Sequence, residues 1–453
     1  MLSRRWKQRK NVQNIGLFIA DEVQLIGQPD IGPTYEVIVS RMRYIAAQTE
    51  NHTRIVACSV SLSNAKTIGD WIGAGSQGIF NFSPRCVLQV QQYDANTRNS
   101  SRPLPMEVHL QNYSTPHFPS LMLSMAKPAY LSITEWAGNK PVIAFVPSRK
   151  QCYLTSQDIL TYCQADGTER RFLNVDLSEL EPHLEHVQDE ELKESLRYGV
   201  AYYHEGLSKQ DKVIVETLFN ANAIQLVIAS RDVAWSIPMR CYMVIIMGVQ
   251  AFDGREHRYV DYPVTDILQM IGRASRPSQD TTSKCVFMCQ SSRKDYFKKF
   301  LAEPLPVESH LKYVLADHFN AEIVTKTIEN KQDAIDYLTW TYFYRRMQSN
   351  PNFYELSGTS HAHLSDSLSE LVEDTLNQLV EAKCITIEDE MDTLPLNLGM
   401  IASYYYISSF TVETFQSSLK ATTKLKGILE IVASAAEFEM VPIRKGEVGV
   451  YTT

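Results

Sequence analysis

Short apolar runs and helical periodicity alternate along the first part of the chain. Gly16–Ala20 is an apolar run followed by two acidic residues, and Arg54–Ser59 is a second run of strand length. Between them Ile38, Met42 and Ile45 recur at positions i, i+4 and i+7, which is the spacing of a helix with one buried face. Because strand–helix–strand units build parallel sheets, this pattern predicts an α/β domain.

A second α/β segment is predicted to start near Lys140. Its strands are expected at Pro141–Val146, Ile224–Ala229, Tyr242–Met247 and Cys285–Met288. Its helices are expected at Gln151–Tyr162, Lys209–Asn220 and Thr265–Gly272. The acidic stretch Asp176–Glu194 is typical of a solvated surface helix or loop.

From Pro304 onward the pattern becomes helical. Long helices are expected at His310–Asn320, Asp333–Met347 and Leu364–Cys384, followed by a strand at Ile385–Glu388. Three helices and a small β-ribbon suit a winged-helix module. A further helical region is expected after Pro395.

Composition and charge narrow the class of protein. The 453 residues are 44% hydrophobic and 21% charged, as in globular proteins. No apolar run approaches the ~18 residues of a membrane-spanning helix, and the basic Met1–Lys10 segment lacks the apolar core of a secretory signal. The net charge of −8 argues against nucleic-acid binding through one broad basic face, but it leaves open a channel lined locally by Lys and Arg. Met1–Lys10 is either a phosphate contact or a solvated helix face.

Cysteine usage and one polar stretch complete this outline. The eight cysteines lack paired spacing, which predicts a reducing compartment. Cys285 and Cys289 lie on an apolar run and are interpreted as strand residues rather than zinc ligands. The polar stretch Cys86–Ser101 is expected to be a poorly ordered, dispensable loop or insertion.

Asp21 and Glu22 are candidate catalytic acids. They directly follow the predicted strand Gly16–Ala20, and parallel α/β sheets bind their ligands at the carboxyl ends of the strands. Nucleotide hydrolysis needs one carboxylate to hold Mg²⁺, often through water, and another to orient or activate the attacking water. Capping of the following helix is the alternative role for such a pair.

Gln269, Arg273 and Arg276 are a second candidate set. Their i, i+4, i+7 spacing would place an amide and two guanidiniums on one helical face. Two converging arginines with no acid between them can neutralise the charge of a transferring γ-phosphoryl group. Gly272 and Pro277 make the arrangement more specific, and a solvated basic face is the alternative.

Taken together, the two sets resemble motifs of the DExH-type superfamily 2 helicases. Asp21–Gln24 is similar to motif II and Gln269–Arg276 to motif VI, and nearly the whole chain resembles the second cassette of the two-cassette RNA helicases of the spliceosome. Pro304–His310 and Leu396–Tyr406 look like the winged-helix and helical ratchet domains of those helicases. Further matches are Ser61 and Ser63 in motif III, Pro147, Ser148 and Arg149 in motif IV, His204 and Gly206 in the next signature, and Ser230 and Trp235 in motif V.

The resemblance implies a role for each matched group. Asp21 and Glu22 would hold Mg²⁺ through water and act in catalysis together with Gln269, Arg273 and Arg276, which would reach the phosphates of ATP. Nucleotide binding and its coupling to RNA would involve Gln24, Ser61, Ser63 and Gly272. The RNA backbone would be contacted by Pro147, Ser148, Arg149, His204, Gly206, Ser230 and Trp235.

The resemblance also implies the domain order. Residues 1–125 are expected to be the C-terminal part of a first RecA-like domain, 126–300 a second one, 301–392 a winged-helix domain, and 393–453 the start of a helical ratchet domain. The predicted fold class is therefore α/β with two RecA-like lobes, the first incomplete, followed by a winged helix and the start of a helical bundle. The motif VI side chains are expected to face the cleft that contains Asp21 and Glu22.

Three departures from the family pattern bear on activity. Motif II ends in Gln24 where the family usually has His, and motif V has Ser236 where active members have Gly. A Cβ at that second position obstructs the close approach of a backbone. No Gly-x-x-x-x-Gly-Lys-Thr loop, which cradles phosphates, occurs in the sequence. This chain alone is therefore predicted not to hydrolyse ATP.

Two functions from different classes follow. One is an ATP- and Mg²⁺-dependent RNA helicase that unwinds snRNA duplexes, and the other is a helicase-like module that regulates and docks proteins without turnover. The departures favour the second. The implied partners are RNA, spliceosomal scaffold proteins and the first helicase cassette, in the nucleus and without a membrane. The related two-cassette helicase of transcription coactivation and DNA repair is the alternative family member.

Overall fold

The computed structural model describes residues 10–48, 53–84, 89–90, 104–254, 257–439 and 441. These residues divide into two compact units. The first unit contains the described residues up to Asn81 and those from Leu305 on, and the second runs from Phe82 to Pro304. None of the described helices is long and apolar enough to cross a membrane.

The first unit begins with a short parallel β pair. Its elements are α1 (Lys10–Gln13), β1 (Leu17–Ala20), α2 (Gly32–Gln48), β2 (Arg54–Ala57) and α3 (Ala65–Ile72). Strands β1 and β2 pair in parallel, which confirms the predicted strand–helix–strand unit. Met42 and Ile45 are buried as expected, but Ile38 is 40% exposed, so the buried face of α2 is narrower than its periodicity predicts.

The second unit contains a seven-stranded, fully parallel sheet. Its elements are β3 (Gln89–Val90), β4 (Met106–Tyr113), α4 (Phe118–Trp136), β5 (Val142–Val146), α5 (Arg149–Ala165), α6 (Leu177–Leu184), α7 (Glu190–Leu196), β6 (Val200–Tyr203), α8 (Lys209–Asn220), β7 (Leu226–Ser230), β8 (Met243–Met247), β9 (Gln250–Asp253), β10 (Arg258–Asp261), α9 (Val264–Gly272), β11 (Ser283–Gln290) and α10 (Lys294–Ala302). The strand order is β3-β4-β11-β8-β5-β7-β6. Strands β5, β7 and β8 are buried along their whole length, as their continuous apolar runs require for strands covered on both faces. Cys285 and Cys289 both lie in β11, which confirms the strand interpretation.

The structure places the boundary between the units earlier than the predicted position at 125–126. Helix α4 runs through that position, and β4 pairs in parallel with β11 along its whole length. The error arose because this pairing joins residues about 180 positions apart, which no local pattern reveals. The boundary lies near Phe82 instead.

The chain returns to the first unit through a helical region. Its elements are α11 (Leu315–Val324), α12 (Lys331–Thr339), α13 (Tyr342–Ser349), α14 (His361–Glu381), β12 (Ile385–Glu388), β13 (Asp392–Pro395), α15 (Asn397–Tyr405), α16 (Ser409–Ser418) and α17 (Leu425–Ala433). Strands β12 and β13 form an antiparallel ribbon. The single helix predicted for Asp333–Met347 is in fact two helices, because the Thr341 hydroxyl accepts a hydrogen bond from the Tyr344 backbone and starts a new helix there.

Buried polar contacts join the two chain segments of the first unit. The carboxylate of Glu36 on α2 is fully buried and accepts hydrogen bonds from the Ser309 hydroxyl (2.6 Å) and the Phe343 backbone N–H (2.7 Å). Arg41, five residues further along α2, forms a buried ion pair with Glu322. These contacts explain why residues so distant in sequence form one unit.

Two predicted stretches lie largely outside the described residues. Of Cys86–Ser101, only Gln89 and Val90 are described, and they form β3 rather than the expected loop. Of the basic segment Met1–Lys10, only Lys10 is described. The α/β class with a parallel sheet, followed by helices and a small ribbon, is confirmed.

Candidate functional site

The acidic pair lies at the carboxyl end of β1, as predicted. Asp21 is exposed and Glu22 is half-buried. Glu22 adopts a left-handed backbone conformation (φ 56°), which costs a residue with a Cβ about 1–2 kcal/mol. The Asp21 carboxylate accepts a hydrogen bond from the Glu22 backbone N–H (3.0 Å), which compensates part of that cost. Such strained residues often occur at functional sites.

Gln24 connects the acidic pair to the end of β2. This side chain is buried, its amide N–H donates to the Glu22 carboxylate, and its carbonyl accepts from the Ser59 hydroxyl (2.9 Å). Tyr35 on α2 donates its hydroxyl to the Asp21 carbonyl (2.6 Å). Burial raises the pKa of Tyr35 above its usual range, and the charges of Asp21 and Glu22 raise it further, so Tyr35 stays a hydrogen-bond donor.

The two serines matched to motif III lie beyond β2. The Ser61 hydroxyl donates to the Asn81 side chain (3.3 Å), and the Ser63 hydroxyl donates to the Leu305 carbonyl (3.4 Å). A bridge between Leu62 and Leu305 fixes this segment against the start of the helical region. Both serines therefore have structural contacts in the first unit, and their predicted role in nucleotide coupling stays a prediction.

Most of the predicted RNA-contacting residues meet at one edge of the second unit. Strands β5, β7 and β6 are neighbours, and their carboxyl ends carry Pro147 to Arg149, Ser230, and His204 to Gly206. The Ser148 hydroxyl caps α5 by accepting from the Gln151 backbone N–H (3.3 Å). The structure therefore brings together three motifs that are separated in sequence.

Glu205 connects the members of this edge. Its carboxylate lies 3.1 Å from the Arg149 guanidinium and accepts a hydrogen bond from the Ser230 hydroxyl (3.1 Å). The Arg149 guanidinium also lies close to Gly206, since a Cβ there would be 2.4 Å from it and would require this exposed side chain to shift. Sequence reasoning missed Glu205, although it stands between the two matched residues His204 and Gly206.

His204 is half-buried at the same edge, and its ring is parallel to that of Tyr202 at 5.7 Å. Its Nδ1 is buried and has no hydrogen-bond partner among the described residues. Burial lowers the pKa of His204 below its usual range, although the nearby Glu205 charge opposes this effect. His204 is therefore neutral at physiological pH, which limits its use as a cationic phosphate ligand.

Residues matched to motifs V and VI contact each other. The Trp235 indole N–H donates to the Asp266 carboxylate on α9 (2.8 Å). The Arg273 guanidinium donates to the carbonyls of Ala234 (2.8 Å) and Trp235 (3.3 Å). Ser236 is exposed beside them, and its hydroxyl donates to the Val233 carbonyl (3.4 Å).

The prediction that Gln269, Arg273 and Arg276 share one helical face is wrong. Helix α9 contains Gln269 but ends at Gly272, Arg273 is its C-cap, and Arg276 lies beyond it. The helix ends there because glycine is a poor helix former and Ala274 instead forms a parallel bridge to Cys241.

An acidic side chain just beyond the motif binds one of the two arginines. The Arg276 guanidinium donates to the buried carboxylate of Asp280 (2.8 Å), which lies 3.1 Å from the Lys140 ammonium as well. Because Asp280 is only 7% exposed, its charge requires these two partners. Arg276 thus has a structural role in the second unit, and any contact with a phosphate would compete with Asp280.

The side chains around the acidic pair determine which metal ion the pair can hold. The described residues contain no group of three or more His, Cys, Asp and Glu side chains arranged around a metal ion. Two carboxylates at a strand end nevertheless suit Mg²⁺, which keeps several waters and takes only one or two protein carboxylates. Asp21 and Glu22 therefore fit Mg²⁺ bound through water, whereas the sequence contains no Gly-x-x-x-x-Gly-Lys-Thr motif for the phosphates of ATP.

Domain comparisons agree with the helical part of the fold. Residues 308–389 match the winged helix-turn-helix domain family, and residues 395–453 match the Sec63 Brl domain family. The first match lies within the predicted winged-helix range 301–392 and includes β12, whereas β13, the partner of β12 in the antiparallel ribbon, follows the matched residues.

Whole-chain comparisons agree with the resemblance seen in the sequence: along nearly its whole length the chain is similar to proteins named as small nuclear ribonucleoprotein and DExH-box RNA helicases. It is 57% identical over 447 residues, 99% of its length, to the human U5 small nuclear ribonucleoprotein 200 kDa helicase. It is 53% identical over 448 residues, 98% of its length, to a DExH-box ATP-dependent RNA helicase of Arabidopsis thaliana. A Dictyostelium discoideum protein named activating signal cointegrator 1 complex subunit 3-like is 46% identical over 456 residues, 99% of the chain. In each case the chain spans 20% of the relative's own length.

Proposed function

We propose that this chain is part of an ATP-dependent RNA helicase of the spliceosome that unwinds snRNA duplexes in pre-mRNA splicing. Within that helicase it acts as a regulatory and protein-docking module with little or no turnover of its own. Similarity to the U5 small nuclear ribonucleoprotein helicase supports the first part. The lower identity of the cointegrator-type relative makes transcription coactivation or DNA repair the weaker alternative.

The observation that carries the regulatory role is the position of Gln24. Its amide binds the Glu22 carboxylate directly and connects it to Ser59. A histidine at this position could take up or release a proton near neutral pH, but an amide does not titrate there. Glu22 is therefore held by a neutral partner that cannot relay a proton from the attacking water, which suits a binding site better than a turnover site.

Mg²⁺ would be held through water by Asp21 and Glu22. It would supply charge neutralisation beside the phosphates of a nucleotide. The Gly-x-x-x-x-Gly-Lys-Thr loop that would cradle those phosphates is absent from this sequence, so the chain alone would not place a nucleotide in line with a water.

The other partners follow from the same proposal. RNA would contact the edge formed by the ends of β5, β6 and β7, and spliceosomal scaffold proteins and the first helicase cassette would dock on the remaining surface. The nucleus is the corresponding compartment.

Phosphate release, measured with and without single-stranded RNA, tests the proposal. We expect the chain to hydrolyse ATP no faster than buffer, because loss of one major transition-state contact typically lowers a rate by ~10³-fold. RNA-stimulated hydrolysis by the chain that is abolished by Glu22→Gln would contradict this expectation.

A chimera distinguishes a regulatory module from a motor that lacks only its phosphate loop. A segment that contains a Gly-x-x-x-x-Gly-Lys-Thr loop is fused to the N-terminus of the chain. We expect nucleotide binding to appear with turnover remaining weak, and Gln24→His with Ser236→Gly to raise turnover. Ser434→Gly, an exposed serine far along the chain, is the control. Strong RNA-stimulated turnover by the unmodified chimera would refute the regulatory role and support the motor.

A further inference from the structure

One group of hydrogen-bond donors in the second unit is already occupied by a carboxylate of the chain itself. The donors are the Arg149 guanidinium and the Ser230 hydroxyl, each 3.1 Å from an oxygen of Glu205. They come from the ends of the neighbouring strands β5 and β7, and Glu205 follows β6. The exposed Arg149 guanidinium is also a suitable ligand for a phosphate of a nucleic-acid backbone, whereas the fully buried Ser230 hydroxyl serves to hold Glu205 in place.

The other charges at this edge do not compensate for Glu205. Arg231 is paired with Asp232 (3.6 Å) and also lies over the Tyr262 ring. The Lys212 ammonium donates to the Glu205 carbonyl (3.1 Å), so it lies near the backbone of this residue rather than its carboxylate. A phosphate approaching Arg149 would therefore meet a negative charge that already occupies the arginine.

We propose that Glu205 is an anionic latch, whose carboxylate occupies Arg149 and Ser230 and thereby keeps RNA phosphates from this edge of the sheet. The inference deepens the proposed function and rests on its assignment of this edge as an RNA contact. The latch is reversible, because the Arg149 and Glu205 side chains are 60% and 44% exposed and such exposed pairs contribute little stability. An RNA phosphate that competes with the Glu205 carboxylate for Arg149 can open it.

RNA affinity of the whole chain, measured by fluorescence anisotropy with labelled single-stranded oligouridine, tests the latch. The variant Glu205→Gln keeps the size and one hydrogen-bond acceptor of the side chain and removes its charge. The control Glu194→Gln makes the same change of net charge and also removes an exposed ion pair, with Arg197 at 3.7 Å. Removing one like charge a few ångströms from a phosphate in a solvated site predicts about fivefold tighter binding for Glu205→Gln. We expect Glu194→Gln to change affinity less than about twofold.

The salt dependence provides a second, independent readout. A guanidinium released from Glu205 gains a phosphate contact, and each such contact with a single strand adds about 0.7 to the slope of log affinity against log salt. We therefore expect a steeper slope for Glu205→Gln and an unchanged slope for Glu194→Gln.

Arg149→Gln in both backgrounds identifies the group that is released. With Glu205→Gln it should abolish the gain in RNA affinity, and it should cost less affinity in the unmodified chain than in the Glu205→Gln background. Equal affinities of the Glu205→Gln and Glu194→Gln variants, or an equal loss on Arg149→Gln in both backgrounds, would overturn the latch and leave RNA binding intact. If no variant bound RNA, the assignment of this edge as an RNA contact would fail, and the latch with it. Matching thermal unfolding curves would show that all variants are folded, because exposed substitutions change stability little.

Discussion

Replacing Glu36 by glutamine should change how the stability of the first unit depends on pH. Glu36 is fully buried, and its carboxylate accepts hydrogen bonds from the Ser309 hydroxyl and the Phe343 backbone N–H. Burial raises its pKa from 4.5 to about 7 and outweighs the opposing effect of these hydrogen bonds. Glutamine is nearly isosteric and can keep the bond from Phe343, but it cannot ionise.

The sign and size of the effect follow from this pKa. A carboxyl whose pKa is higher in the folded state stabilises that state fully below pH 4.5, and this contribution is lost as pH rises through about 7. One unit of pKa corresponds to 1.36 kcal/mol, so Glu36 should lower the free energy of unfolding by about 2 to 3 kcal/mol between pH 5 and pH 8. The free energy of unfolding of the Glu36→Gln variant does not decrease in this way with pH, so the variant should be more stable than the unmodified chain at pH 8.

Hydrogen exchange of α2 peptides, followed by mass spectrometry and corrected for intrinsic exchange rates, measures this difference within the first unit. The control is Glu370→Gln on α14, because Glu370 is exposed and carries the same charge. We expect α2 protection to fall with pH in the unmodified chain and the control, and much less in Glu36→Gln. The same pH dependence in all three proteins would show that Glu36 is not the titrating group, and would refute the argument from its burial.

Two further substitutions test the packing of each unit. Gly199→Ala should destabilise the second unit by ~2 kcal/mol or more in urea unfolding, since Gly199 has a φ of 80° and an added Cβ would lie 2.1 Å from a backbone carbonyl. The control Gly138→Ala, at φ 56° with open space around it, should cost only ~1 kcal/mol. Equal losses of stability in the two variants would contradict the steric argument. Arg346→Met should destabilise the first unit by ~3–5 kcal/mol, because it leaves the mostly buried Glu308 carboxylate without its guanidinium partner. The control Lys331→Met removes a more exposed ion pair and should cost less than ~1 kcal/mol. Similar losses of stability in the two variants would show that burial of the ion pair is unimportant.

Strands of the second unit could be predicted from sequence because each has a simple local cause. Pro141–Val146 and Tyr242–Met247 were predicted, and the structure has Val142–Val146 and Met243–Met247. A continuous apolar run of this length fits a strand buried on both faces. The membership of β4 in the same sheet could not be predicted, because it depends on pairing with β11 far along the chain.

The sequence predicted where the candidate-site residues lie on the strands more accurately than how their side chains are oriented. The placement of Asp21 and Glu22 follows from the single apolar run before them. The orientation of Arg276 does not, because its spacing from Gln269 satisfies helical periodicity even though the helix ends at Gly272. Glu205 was missed for a related reason: its partners Arg149 and Ser230 come from other strands, and only the tertiary fold brings the three together.

The first unit is built from two chain segments, and the whole of the second unit lies between them in sequence. On a ribosome, the N-terminal segment would be complete before its partner exists, and at ~5–20 residues per second the wait lasts on the order of tens of seconds. During that time Trp71 has neither the Trp340 carbonyl to which its indole N–H donates nor the Tyr342 ring beside it. We therefore expect the nascent chain to bind chaperones through this early segment, and the second unit to finish folding first although it is synthesised later.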